Sequence, residues 1–97
     1  MKLHTFTNEI IDIAKANNAS WDVAADMFLA NVRNAGDKEL PYYKGAEKVN
    51  FEALKETEKE LAESKVDFCA AYQKHSTEII GFRKDGKFEE VIKVMGG

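Results

Sequence analysis

The side chains best equipped for chemistry in this chain are one thiol and two imidazoles: Cys69, His4 and His75. A thiol becomes a nucleophile when a neighbouring base takes its proton. His75 follows Cys69 by six residues, and six helical steps of 100° set the two about 120° apart around a helix axis. They do not face each other. Cys69 lies among Phe68, Ala70 and Ala71 and reads as a small, inert, buried side chain. His75 stands between Tyr72 and Ile79 on the same stripe and reads as a partly buried histidine. Neither Cys-x-x-Cys nor His-x-x-x-His occurs, so zinc spacing is missing. Glu9, Asp12, Asp22 and Asp26 could gather on two neighbouring helices, but the helix dipole explains carboxylates near helix starts equally well. A glycine-rich phosphate loop and a serine nucleophile elbow are both missing from the sequence. The expectation is a non-enzyme with no cofactor and no bound metal.

Binding surfaces are easier to find. Glu52, Glu56, Glu58, Glu60, Glu63 and Asp67 crowd one stretch, with only Lys55, Lys59 and Lys65 between them. Glu56 with Glu60 and Glu63 with Asp67 are like-charge i,i+4 pairs, each weakening an isolated helix by a few tenths of a kcal/mol. Such a run is either a solvated face or a surface for a basic partner. In the second case Glu52, Glu56, Glu60, Glu63 and Asp67 are the contacting residues. Tyr42 and Tyr43, after Leu40-Pro41, form the other candidate surface, since exposed tyrosines are rigid anchors that can also hydrogen-bond. A helix-turn-helix over residues 10–32 would send its second helix, starting Trp21-Asp22-Val23 and carrying Asp26, toward DNA, with Arg33 that helix's only base, at the far end. Two carboxylates facing phosphate disfavour direct nucleic-acid binding.

These residues need elements to position them. The chain has 97 residues, 44% of them hydrophobic, with 17 acids against 14 bases and a net charge of −3. That is enough for one self-sufficient domain, residues 1–97. The longest apolar run, Phe68 to Tyr72, is far too short to span a bilayer, so no membrane insertion is expected. A single cysteine excludes an internal disulfide and suits a cytoplasmic location.

Helix signals recur at the boundaries. Thr7 is an N-cap candidate for a first helix ending near Asn17-Asn18, and Ser20 one for a second from about Trp21 to Ala35, stopped by Gly36. Residues 37–48, around the only proline, read as a loop. From Phe51 to Ile80 there is neither Gly nor Pro, and Phe51, Leu54, Leu61, Phe68, Tyr72, His75, Ile79 and Phe82 follow a 3–4 spacing. Thirty residues of unbroken helix would be about 45 Å long, longer than a domain of this size is wide. Either the helix breaks, with Ser64 and Asp67 marking the place, or its overhang packs on a second copy. Asp85-Gly86 between Phe82 and Phe88 allows a hairpin, whereas Phe88, Val91, Ile92 and Met95 at i, i+3, i+4, i+7 favour a helix. Residues 84–92 resemble the inter-helix turn of tetratricopeptide repeats, without a second repeat at the required period.

The expected fold is therefore all-α: a small bundle of four to five helices with one long helix, continuous or kinked. The expected function is non-catalytic binding to a protein partner bearing a basic surface. Inhibitors and adaptors of phage or mobile-element origin are the type of protein envisaged. Two alternatives remain open: a self-associating structural protein, as a homodimer, and a small-ligand binder or enzyme with an inter-helix pocket near Cys69, Tyr72 or His75.

Overall fold

The computed structural model describes residues 2–34, 39–41 and 48–96. A 3-10 turn, Leu3–Phe6, leads directly into α1, Thr7–Asn17. Thr7 does not cap α1 by accepting a bond: its hydroxyl donates to the His4 carbonyl at 2.6 Å, inside the turn that precedes the helix. Asn18 ends α1 in the left-handed region, with φ 49° and ψ 44°, a conformation its short polar side chain tolerates better than most. α2, Trp21–Arg33, follows after Ala19 and Ser20 and packs back on α1. Ser20 is the N-cap residue of α2, but its hydroxyl bonds the Asp22 carboxylate instead of a backbone N–H.

A strand pair begins within the span expected to be loop and reaches just past its end. β1, Glu39–Pro41, runs antiparallel to β2, Lys48–Asn50, with Leu40 opposite Val49. Three residues per strand are too few to set up the alternation by which a strand is recognised in sequence. Gly36, the expected stop after α2, lies outside the described residues.

The long helical stretch is broken. α3, Phe51–Leu54, passes through a 3-10 turn, Lys55–Thr57, into α4, Glu58–Glu63, and then α5, Lys65–Lys84. The corner between α4 and α5 is at Ser64, whose φ −84° and ψ −1° lie off the helical track. Its hydroxyl accepts the Leu3 N–H at 2.8 Å and donates to the Leu61 carbonyl at 2.8 Å. The break therefore arises from a bond to the other end of the chain and not from a capping box with Asp67. α5 is kinked again at His75, φ −110° and ψ 15°. The residues span 34 × 28 × 24 Å, which a 20-residue helix fits at about 30 Å.

A turn at Asp85-Gly86, with Gly86 at φ 74°, sends the chain back as α6, Phe88–Val94, packed on α5 and α1. Of the two readings of this tail, the helix is the one formed. The domain is small and helical, and its core lies along the predicted seam: Phe51, Leu54, Leu61, Phe68 and Ile79 are buried, joined by Leu3, Ile10, Phe28, Val32 and Val91. The seam survives the breaks because each corner re-aims the next helix at the same core. No helix among the described residues is long and apolar enough to cross a membrane.

Candidate functional site

Where α1 ends and α2 begins, the second half of α5 passes close enough to form a groove but not to fill it. The open space is about 720 Å³. Ile11, Ala14 and Lys15 of α1 form one wall, and Asn18, Ala19, Ser20 and Trp21 the turn that closes one end. Tyr72, Ile79, Ile80, Arg83 and Lys84 of α5, with Phe88 of α6, form the other wall. Trp21 and Tyr72 stack across it with ring centroids 5.3 Å apart. Burial pushes the Tyr72 phenol above its ordinary pKa, so it stays a neutral hydroxyl. Ile80 remains 64% exposed.

Arg83 is built in. Its guanidinium donates to the Asn8 carbonyl at 3.2 Å, to Asn8 Oδ1 at 3.0 Å and to Asp12 Oδ1 at 3.2 Å. It also lies 5.9 Å over the Phe88 ring. Asn8, fully buried, donates in turn to the Phe88 carbonyl at 3.2 Å. One polar cluster thus fastens α1, α5 and α6 together, with Arg83 only 8% exposed at its side chain. Lys15 and Lys84 are different. Both are exposed and have no ion-pair partner among the described residues.

The acidic residues singled out in the sequence, Glu52, Glu56, Glu60, Glu63 and Asp67, are all exposed, spread over α3, the 3-10 turn, α4 and the start of α5. Val66 lies among them and is 78% exposed. Glu58 is set apart by its bond to Arg33 Nε at 2.6 Å. Tyr42 and Tyr43 lie outside the described residues.

Of the four carboxylates that could gather round a cation, the three aspartates are engaged with protein. Asp12 meets Arg83, Asp26 meets Lys65, and Asp22 accepts the Ser20 hydroxyl, which lowers its pKa. Among the described residues no three His, Cys, Asp or Glu side chains are grouped to hold a metal. Cys69 packs partly against the core, and burial raises its pKa, which disfavours the thiolate. His75 has its Nδ1 3.6 Å from Glu78 on the same helix. Neither residue lines the groove; of the three named for a pocket, only Tyr72 does. The lining offers a bound molecule apolar contact, the Tyr72 hydroxyl and cationic side chains.

The groove was not legible as a unit. Its walls come from residues 11–21 and 72–88, and the signal available was Ile80, an apolar residue off the buried stripe. Comparison with protein families, with curated proteins and with solved structures finds no match to this chain.

Proposed function

We propose that the protein works by binding and not by catalysis, docking on a protein partner with a basic surface as an inhibitor or adaptor does. The observation that carries this reading is the exposure of Glu52, Glu56, Glu60, Glu63 and Asp67 along one stretch of chain. Glu52, Glu56, Glu63 and Asp67 concentrate negative charge on this exposed stretch, which a cationic partner complements. Val66, 78% exposed in the same stretch, supplies an apolar contact at which such a partner excludes water. Steering by opposite charge raises the rate of encounter and makes it depend on salt.

The test uses the immobilised protein and the variant Glu56→Lys/Glu60→Lys/Glu63→Lys side by side in a host-cell lysate. The reading expects a protein held by the wild type at low salt, released as salt rises, and lost from the variant. Identical retention by both would remove the acidic stretch from the account, and retention indifferent to salt would do the same.

A further inference from the structure

We infer that the groove between α1, the start of α2 and the second half of α5 binds a small single-chain amphiphile, a hydrocarbon body with one carboxylate head. Three observations converge on that chemistry. The lining is largely apolar: Ala14, Trp21, Ile80 and Phe88 offer surface to the space, backed by the core residues Ile11 and Ile79, and Ile80 is left 64% exposed. Contact with a hydrocarbon chain removes that surface from water.

The charge at the rim has one sign. Among the described residues, Lys15, Arg83 and Lys84 are the charged ones that line the groove, and no Asp or Glu does, in a chain whose acids outnumber its bases 17 to 14. Arg83 is occupied by Asn8 and Asp12, which leaves Lys15 and Lys84 for the head group. Both are exposed, so the head stays at the wetted mouth while the tail lies along the aromatic wall. The carboxylate thereby keeps part of its hydration, avoiding the full cost of a buried ion.

The size admits a small-molecule occupant. The space of about 720 Å³ falls within the ~300–1,000 Å³ typical of small-molecule sites. The groove and the acidic stretch proposed for protein binding share no residue, although both use α5, where Asp67 stands five residues before Tyr72.

The single tryptophan, Trp21, is part of the wall, so its emission reports occupancy without a label. Decanoate is titrated below its micelle concentration against the full chain, with decanol and decyltrimethylammonium as neutral and cationic counterparts. A saturable change in Trp21 emission is expected with decanoate, at lower concentration than with either counterpart. Lys15→Glu/Lys84→Glu should weaken decanoate binding about 5- to 30-fold, the effect of losing two partly exposed charge pairs. Ile80→Ser, at an exposed position, should weaken all three ligands together, and Glu56→Lys/Glu60→Lys/Glu63→Lys should leave decanoate affinity within about twofold because none of the three lines the groove. The inference is overturned if decanoate gives no saturable change, if the cationic chain binds as well, or if the lysine variant is unaffected. It is overturned equally if anionic vesicles or an acidic amphipathic peptide shift the Trp21 emission and decanoate does not.

Discussion

Removing the Arg83 guanidinium should destabilise the domain more than any other surface-facing basic residue would. Arg83→Met keeps an unbranched stem of similar girth but deletes three hydrogen bonds, two to Asn8 and one to Asp12. Asn8 is fully buried, so its side-chain oxygen loses the Arg83 donor where water cannot easily replace it, a cost of about 1–3 kcal/mol. Asp12 is about one-third exposed and recovers much of its solvation, so the ion pair itself adds only about 0.5–1 kcal/mol. The sum is about 1.5–4 kcal/mol. For a domain of this length each kcal/mol moves the melting temperature by about 4–8 °C, so a drop of at least about 6 °C is expected. Urea unfolding followed by circular dichroism gives the free energy directly. A double-mutant cycle then separates the contributions: Asn8→Ala and Arg83→Met should cost less together than the sum of the two alone, because each leaves the other's partner stranded. A loss below about 1 kcal/mol for Arg83→Met, or strict additivity in the cycle, would refute the claim that this cluster fastens α1 to α5.

Three further expectations follow from the core, the α5–α6 turn and the buried imidazole. Phe68 is fully buried, edge-on to His4 and tilted against Tyr72, so Phe68→Ala should cost about 3–5 kcal/mol, seen as a lower urea midpoint with an unchanged slope. Gly86 sits at φ 74° with nothing within 4 Å of an added Cβ; Gly86→Ala should cost about 1 kcal/mol from backbone strain alone, and a neutral melting temperature would contradict that. His4 is buried, and burial together with Lys2 holds its pKa below the usual imidazole value against the opposing pull of Asp67. The unfolded chain therefore takes up the proton first, so this contribution to stability is whole above about pH 6.5 and declines as the pH falls toward the lowered folded value. Relative to His4→Gln, wild-type stability should fall between pH 7 and pH 5.5; parallel curves would exclude a neutral buried His4.

Much of this fold can be read from residue order, for reasons that vary along the chain. The bounds of α1 and the start of α2 are legible because local chemistry sets them: Asn18 accepts the left-handed turn, and Ser20 stands in extended backbone ahead of Trp21. The seam from Phe51 to Ile79 is legible because burial follows helical spacing whether or not the axis bends. The bends themselves are harder. Ser64 is marked by sequence as a break, but the partner that fixes it is Leu3, and nothing local announces a bond across that separation. The kink at His75 has no Pro or Gly to signal it. Likewise Arg83 looks like one more exposed base beside Lys84 until α1 is laid against it. The acidic residues were found by charge count alone, and their exposure follows from their lying off the seam; the groove, assembled from two distant segments, has no counterpart in any single window of sequence.

The long-range bonds at the amino end also bear on the order in which this protein is finished. As the chain leaves the ribosome, α1 and α2 can pair at once, yet the Leu3 amide has no acceptor until Ser64 emerges. Asn8 must wait longer still, for Arg83 and Phe88. α1, made before the other described α-helices, is therefore among the last to be locked. A premature stop before Arg83 would release a product whose first helix lacks the polar company it was built around, so damage at the carboxyl end should be felt at the amino end.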